Sequence, residues 1–252
     1  MKKFGLLGRK LSHSYSPQIH KFFDNYEYKL YEKEPEDLDK FLLDCELDGM
    51  NVTIPYKKDV IKYCSSLSKQ AEKIGAVNTL VKKADGSFSG YNTDYFGFLY
   101  MIKSINADIK SKKAIVLGTG GASLTCQAVL DDLGAKEIIV ISRNGENNYK
   151  NIANHYDAQV IVNATPVGMY PNVNDSILDL SHFKSCETVL DLIYNPEKTM
   201  LLKQAENLGL NYSNGLSMLI AQAKQSAEYF LDKTIDDEII EKISKEIKLW
   251  KY

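Results

Sequence analysis

The sequence lacks the features that mark membrane-spanning or metal-binding proteins. No run of about 18 apolar residues occurs, so a transmembrane helix is not expected. The four cysteines, Cys45, Cys64, Cys126 and Cys186, form no CxxC pair, and the four histidines do not cluster with them. We therefore predict neither a zinc site nor a disulfide framework, and no bound metal.

An excess of charge of one sign is also absent. The formal net charge is −2, and acidic and basic residues are interspersed along the chain. Nucleic acids and membrane surfaces both attract proteins through a positive field, so neither is an expected partner. A small anionic ligand needs only one or two local cations and stays compatible with this charge.

The N-terminal segment, residues 1–8, is basic and then apolar. The apolar stretch stops at Arg9, too early for the core of a signal peptide, and we interpret it as a first β-strand. Unpaired thiols and the lack of an export signal together predict a cytoplasmic location.

The remaining sequence alternates strand and helix patterns over a length that suits one large domain or two modest ones. Residues 114–117 are a continuous apolar run, typical of a parallel strand covered on both faces. The Asp85-Gly86 dipeptide predicts a hairpin turn. Strands are predicted at 3–8, 28–33, 50–54, 76–82, 87–90, 114–117, 137–142, 159–163 and 188–193, and helices from Ser16 and at 35–47, 95–105, 122–133, 149–156, 216–232 and 236–251.

A glycine cluster, Gly118-Thr119-Gly120-Gly121, follows the predicted buried strand at 114–117 and opens a helix. Glycines let the backbone approach a pyrophosphate closely, and a helix N-terminus offers free N–H groups. Ser123 stands where a strict GxGxxG pattern has its third glycine. The strand–turn–helix context nevertheless favours a dinucleotide site over a simple tight turn.

The next strand ends at Ser142-Arg143-Asn144. A binder of NAD favours an acidic residue at this place, for the ribose 2′-hydroxyl, whereas an arginine suits the 2′-phosphate of NADP. The alternative is a solvated surface arginine. The order of glycine loop and arginine predicts NADP(H) as cofactor.

Lys57 follows a short buried strand, and Asp94 stands at the start of a predicted helix. A lysine in a cleft can move a proton, and a nearby aspartate can orient it. From spacing alone, a solvated lysine and an aspartate that only caps the helix are the commoner case, and the catalytic pair is the minority interpretation at this point.

Eight segments, in order, resemble motifs of the shikimate dehydrogenase family and together extend from residue 14 to residue 223. They are residues 14–20 (SxSPxxH), 51–57 (NVTxPxK), 75–79 (GAVNT), 90–94 (GxNTD), 118–123 (GxGGAx), 163–169 (NATPxGM), 191–196 (DxxYxP) and 215–223 (GxxMLxxQA). Each motif is short, but eight in one order make coincidence remote.

The resemblance implies reversible, NADPH-dependent reduction of 3-dehydroshikimate to shikimate, in the pathway to aromatic amino acids. The implied acid–base pair is Lys57 and Asp94, both also near the substrate. The other implied substrate residues are Ser14 and Ser16 at the carboxylate, Thr53, Asn78 and Gln222 at the hydroxyls, and Tyr194 lining the site. The implied cofactor residues are Gly118, Thr119, Gly120, Gly121 and Ala122 in the loop, and Ser142, Arg143 and Asn144 at the 2′-phosphate. Thr165 and Val167 are implied at the edge of the cofactor after the Asn163 strand, Leu192 is a further implied cofactor residue, and Gly215 and Met218 are implied near the nicotinamide.

The implied fold is a two-domain α/β protein. Residues 1–105 with the C-terminal helix 233–252 form an α/β substrate domain, and residues 106–232 form a Rossmann-like parallel-sheet domain for NADP. The connector 144–160 is about half the length usual in the family, which predicts a shortened crossover and a trimmed sheet. Asn144 also replaces the family's threonine beside the arginine.

Two other functions stay open. One is a quinate/shikimate dehydrogenase that uses both NAD and NADP. The other is a catalytically inactive homologue that senses NADP or a cyclohexene acid, although the presence of both Lys57 and Asp94 counts against it. The expected partner is the small-molecule substrate, and the expected state is a monomer or homodimer.

Overall fold

Strands and helices alternate along the chain in the computed structural model, which describes residues 1–11 and 14–247. The chain divides into two compact units, one made of Met1–Gly97 with Ile220–Ile247 and the other of Phe98–Leu219. None of the helices in these described ranges is both long enough and apolar enough to cross a membrane. The four cysteines are free thiols.

The first unit is built on a six-stranded mixed sheet. Its spatial order is β2-β1-β3-β5-β6-β4, and β5 runs antiparallel to both of its neighbours while the other pairs are parallel. The strands are β1 (Lys3–Gly8), β2 (Glu27–Glu32), β3 (Gly49–Val52), β4 (Cys64–Leu67), β5 (Thr79–Lys82) and β6 (Phe88–Tyr91).

Helices cover this sheet and bury its apolar side chains, among them Leu7, Met50, Leu80 and Phe88. The predicted helix 35–47 is shorter in the structure: a 3-10 turn at Pro35–Asp37 leads into a helix that ends at Leu43. The helices are α1 (Ser16–His20), α2 (Leu38–Leu43), α3 (Lys69–Ile74) and the start of α4 (Thr93–Ser104), with a second 3-10 turn at Asp59–Tyr63.

The second unit contains a five-stranded, fully parallel sheet of the Rossmann-like type, in the order β11-β10-β9-β7-β8. Its strands are β7 (Lys113–Leu117), β8 (Glu137–Ile141), β9 (Val160–Asn163), β10 (Thr188–Asp191) and β11 (Asn211–Ser213). Its helices are α5 (Gly121–Asp132), α6 (Met200–Asn207) and the start of α7 (Leu216–Leu231). The last helix, α8 (Glu238–Glu246), belongs to the first unit, and predicted positions 248–251 lie outside the described residues.

The connection from β8 to β9 is the shortened crossover that the sequence predicts. Its regular structure is a 3-10 turn at Ile152–His155, in place of the expected helix 149–156. With no further strand between them in the described chain, β8 stays at the edge of the sheet. The parallel sheet is therefore trimmed on this side.

Both boundaries between the units fall within helices, and neither falls in a loop. The divisions fall after Gly97 in α4 and after Leu219 in α7, whereas the sequence predicts boundaries at residues 105 and 232. The second half of α7 belongs with the first sheet because Phe230 stacks on Phe4 of β1, with ring centroids 4.4 Å apart. Ser226 of α7 also accepts a hydrogen bond from Asn51 of β3 at 2.7 Å.

Candidate active site

A lysine and an aspartate from two distant segments meet in the first unit. Lys57 lies in the turn after β3, and Asp94 is the second residue of α4. Lys57 Nζ donates to Asp94 Oδ2 at 2.5 Å, and the two side chains are 20% and 14% exposed. Partial burial strengthens the attraction between the charges. An ammonium has three N–H donors, so the ion pair leaves donors of Lys57 available to a ligand.

Asn78 is another predicted substrate residue, and buried hydroxyl and backbone groups hold its side-chain amide in place. Its Oδ1 accepts from Thr93 N at 2.7 Å, from Thr93 Oγ1 at 3.2 Å and from Thr79 Oγ1 at 3.1 Å. The residue is 3% exposed. Because an amide oxygen has two lone pairs, these donors saturate it. The NH₂ group is the end of this amide that can serve a ligand.

A fully buried serine links Asn78 to helix α7. Ser226 Oγ accepts from Asn51 Nδ2 at 2.7 Å and donates to the carbonyl of Gln222 at 2.9 Å. It also lies 3.0 Å from Thr79 Oγ1 and 3.1 Å from Thr93 Oγ1. Thr93 Oγ1 in turn lies 3.5 Å from Gln222 Oε1. Strands β3 and β5 and helices α4 and α7 thus share one polar network around two predicted substrate residues.

The remaining predicted substrate residues of this unit lie at the start of α1, in the case of Ser14 and Ser16, and directly after β3, in the case of Thr53. Ser14 Oγ accepts from Ser16 N at 3.2 Å, at the start of α1. Thr53 is half-buried, and its N–H donates to a β1 carbonyl at 2.8 Å. In the described part of the chain, no hydrogen bond joins these three residues to Lys57 or Asp94.

The glycine loop of the second unit has the open geometry that a dinucleotide needs. Gly118 has φ +105°, and a Cβ there would lie 3.0 Å from the Ala164 carbonyl oxygen. Gly120 and Gly121, at the start of α5, have nothing within 4 Å of an added Cβ. The backbone at the start of α5 is therefore unobstructed at these two glycines, and an unobstructed helix N-terminus suits a pyrophosphate.

The strand register brings the predicted cofactor residues to one edge of the parallel sheet. Gly118 N donates to Ile141 O at 2.8 Å and Leu192 N donates to Asn163 O at 3.0 Å, so the carboxyl ends of β8, β7, β9 and β10 lie side by side. At this edge are Gly118, Thr119, Gly120, Gly121, Ala122, Ser142, Arg143, Asn144, Thr165, Val167 and Leu192; Gly215 follows β11, Met218 lies in the first turn of α7, and Tyr194 follows β10.

Arg143 is exposed just beyond the end of β8. Among the described residues it forms no salt bridge, so no protein carboxylate competes for its guanidinium. The segment after it folds back, with Ser142 N donating to Asn147 O at 3.2 Å. Burial raises the pKa of Tyr149, and the nearby Arg143 charge opposes that rise. The arginine therefore stands free to bind an anionic group.

Asp191 is a buried carboxylate that the sequence analysis does not include in the site. It ends β10 and is 0% exposed. Burial raises its pKa to about 6, against the effect of hydrogen bonds from Thr199, the Ile193 backbone and Asn163. Asn163 and Asp191 each begin one of the family motifs, at 163–169 and 191–196, and this position is the signal in the sequence that could have found them. The described residues include no cluster of three or more His, Cys, Asp or Glu placed to hold a metal ion.

Comparison with known proteins identifies the family. A family model described as the shikimate dehydrogenase substrate binding domain matches residues 6–80. The shikimate dehydrogenase (NADP(+)) of Clostridium beijerinckii is 37% identical over 259 residues, covering 95% of each chain. The chain belongs to the shikimate dehydrogenase family.

Solved structures of this family have the same fold over nearly the whole chain. A chorismate mutase/shikimate 5-dehydrogenase fusion protein from Clostridium acetobutylicum is 38% identical, with a TM-score of 0.90, covering 97% of this chain and 96% of the other. Shikimate 5-dehydrogenase from Thermus thermophilus, solved with NADP(H) and shikimate, is 28% identical with a TM-score of 0.87, covering 97% and 99%. The two-unit α/β architecture predicted from the sequence is confirmed as that of the family.

Proposed function

We propose that this enzyme catalyses the reversible NADPH-dependent reduction of 3-dehydroshikimate to shikimate, in the shikimate pathway of aromatic amino acid biosynthesis. The observation that carries the proposal is the ion pair between Lys57 and Asp94, 2.5 Å apart and largely shielded from water, in a member of this family. The cofactor is NADP(H), as in the names of the relatives.

The substrate half of the proposal rests on the polar groups of the first unit. Asn78 offers an NH₂ donor, since its oxygen is already saturated by Thr79 and Thr93. Ser14 and Ser16 are proposed to bind the carboxylate, and Thr53 and Gln222 the ring hydroxyls. Tyr194, which belongs to the second unit, is proposed to line the site as well. A polyhydroxylated cyclohexene acid needs donors and acceptors of this kind at fixed positions, because each unpaired buried group would cost affinity.

The cofactor half rests on the edge of the parallel sheet. The N-terminus of α5 and the glycines before it fit a pyrophosphate, and Arg143, without a carboxylate partner among the described residues, suits the 2′-phosphate. Thr165, Val167, Leu192, Gly215 and Met218 are proposed to adjoin the nicotinamide end. NADPH bound there supplies the hydride.

Lys57 has the central catalytic part in the proposed mechanism. Its ammonium, oriented by Asp94, donates a hydrogen bond to the substrate carbonyl oxygen, stabilises the charge that builds there and gives it a proton. In the reverse direction the neutral amine takes the proton from the shikimate hydroxyl. Asp94 limits the directions in which Lys57 Nζ points.

A matched pair of lysines tests the proposal. We expect purified enzyme to consume NADPH when 3-dehydroshikimate is added, followed by absorbance, with NADH and quinate as comparison substrates. Lys57→Ala should lower kcat by about 100-fold or more, the contribution typical of a general acid–base group. Lys58→Ala, an exposed neighbour, should keep the wild-type rate. Turnover by Lys57→Ala at the Lys58→Ala rate would rule out the catalytic role.

The state of assembly and the cellular location are also proposals. We expect a monomer or homodimer in the cytoplasm, with no nucleic acid or membrane partner. Size-exclusion chromatography with light scattering would distinguish the two assembly states.

A further inference from the structure

The buried carboxylate of Asp191 connects the loops at the nicotinamide end of the proposed cofactor site. Its Oδ1 accepts from Asn163 Nδ2 at 3.0 Å and from Ile193 N at 3.1 Å, and its Oδ2 accepts from Thr199 Oγ1 at 2.7 Å. Asp191, Asn163 and Thr199 are each at most 1% exposed. The salt bridges among the described residues do not include Asp191, so neutral donors alone compensate the buried charge.

Asn163 connects the Asp191 carboxylate to the loop after β9 through hydrogen bonds of its side-chain amide. Its Oδ1 accepts from Thr165 N at 3.0 Å and from Thr165 Oγ1 at 2.7 Å. Thr165 Oγ1 accepts from Val167 N at 3.2 Å, and Asn163 Nδ2 also donates to Val167 O at 3.3 Å. The orientation of the Asn163 amide therefore determines where Thr165 and Val167 lie.

The same carboxylate holds the segment after β10. Ile193, bonded to Asp191 through its N–H, accepts from Gly215 N at 3.1 Å. A Cβ at Gly215 would lie 2.0 Å from Leu192 O, so the two backbones are in direct contact. Thr199, the third donor, also accepts from Leu202 N at 3.3 Å and so caps α6.

We propose that Asp191 is a positioning residue for the nicotinamide half of the cofactor site, holding Thr165, Val167, Leu192 and Gly215 in one arrangement. This rests on the proposed function, which places the nicotinamide at these residues. Arg143 and the 2′-phosphate position lie at the other end of the same sheet edge, after β8, and no described hydrogen bond connects them to Asp191. The effect of removing the carboxylate is therefore confined to one half of the cofactor.

Two substitutions at this position separate the role of geometry from that of charge. In Asp191→Asn the amide oxygen can still accept from Asn163 and Ile193, and its NH₂ can donate to Thr199 Oγ1, so the loops keep their anchor. In Asp191→Ala all three donors lose their acceptor. If Asp191→Ala does not fold, Asn163→Ala replaces it in the experiment. This variant removes the amide that joins the Asp191 carboxylate to Thr165.

The experiment compares binding of NADPH with binding of adenosine 2′,5′-bisphosphate, which carries the adenosine and phosphate groups but no nicotinamide. Asp191→Ala should weaken NADPH binding by about tenfold or more, because each contact that the displaced loops no longer make with the cofactor lowers its affinity. Its affinity for the bisphosphate should stay within about twofold of wild type. Asp191→Asn should bind both as wild type does, and Arg143→Ala should lose the bisphosphate.

Three results of this experiment would count against the positioning role of Asp191. Wild-type affinity for NADPH in Asp191→Ala, or in Asn163→Ala where the first variant does not fold, would overturn the positioning role. Equal weakening of NADPH and the bisphosphate would also overturn it, since the effect would then extend over the whole unit. Wild-type protein that binds neither ligand would overturn the proposed function itself, and the positioning role with it.

Discussion

At the scale of single residues, His20 shows how burial of one titratable group makes stability depend on pH. The ring is 1% exposed and stacks on Tyr28 with centroids 3.9 Å apart, and its Nδ1 lies 2.7 Å from Tyr26 Oη. Burial lowers the pKa of His20 from 6.5 to about 3, partly opposed by a hydrogen bond with Asn51. The ring is therefore neutral in the folded protein over the whole range in which it becomes protonated in the unfolded chain.

The sign of the effect follows from proton binding. Between pH 6.5 and about 3 the unfolded chain binds one more proton at this position than the folded protein, so stability from His20 is lost as pH falls through this window. We expect the unfolding free energy of the wild type to fall by up to about 1.4 kcal/mol per pH unit more than that of His20→Phe. Urea unfolding of both proteins between about pH 6 and 4.5 measures the difference. Parallel curves for the two would contradict the buried neutral state.

At the scale of elements, helix α7 contains two buried serine hydroxyls with opposite environments. Ser226 Oγ has hydrogen-bond partners on β3, β5, α4 and its own helix. Ser217 Oγ is buried without a partner among the described residues. Because Asn51 Nδ2 would lose its shortest hydrogen bond in a buried network, Ser226→Ala should cost about 1–3 kcal/mol, whereas Ser217→Ala should be neutral or stabilising.

Chemical denaturation of the two alanine variants measures this contrast. Ser226→Ala should in addition raise the KM for 3-dehydroshikimate, because the hydroxyl helps to hold Asn78 and Gln222. The KM for NADPH should not change in that variant. Equal stabilities for the two variants would show that the network contributes nothing to the packing of α7.

The elements also show what the sequence can and cannot predict. The hairpin at Asp85-Gly86 and the parallel strands after residue 112 are confirmed, since turn residues and continuous apolar runs are local signals. Strand β4 was missed because its pattern, Cys64-Ser65-Ser66-Leu67, has exposed serines and pairs with β6 only at the sheet edge, with a register shift. The Ser226 network was missed for another reason: its partners are up to 175 residues apart, and no local pattern encodes such a pairing.

The same limit applies to the division of the chain. Leu216–Leu231 reads as one continuous amphipathic helix, and nothing in its periodicity marks Leu219 as the end of one unit. The boundary depends on which sheet each turn packs against, as Phe230 on Phe4 shows. Motif order is what indicates both groups of proposed site residues, and several of these motifs adjoin the ends of strands whose register the core determines. The distances within each group required the structure.

At the scale of the whole molecule, two units with separate cores lead to separate ligand effects. The proposed substrate residues Lys57, Asn78 and Asp94 belong to Met1–Gly97, and the glycine loop and Arg143 belong to Phe98–Leu219. We expect NADPH alone to slow amide hydrogen exchange at residues 118–122 and 142–144, and shikimate alone to slow it at residues 53–57 and 91–94. Exchange measured by mass spectrometry on peptides from these segments tests the assignment, because a bound ligand suppresses local opening of the backbone that it contacts.

The thermal stability of the molecule gives an independent readout of the same binding. A ligand that binds only the folded protein stabilises it by about 2.7 kcal/mol at a free concentration of 100 times its Kd. NADPH should therefore raise the Tm of wild type and of Lys57→Ala equally, since this lysine lies outside the unit proposed to bind the cofactor. Shikimate should raise the Tm of wild type in the absence of any cofactor. Protection of residues 118–122 by shikimate alone, or loss of the NADPH-induced shift in Lys57→Ala, would contradict the assignment of substrate and cofactor to separate units.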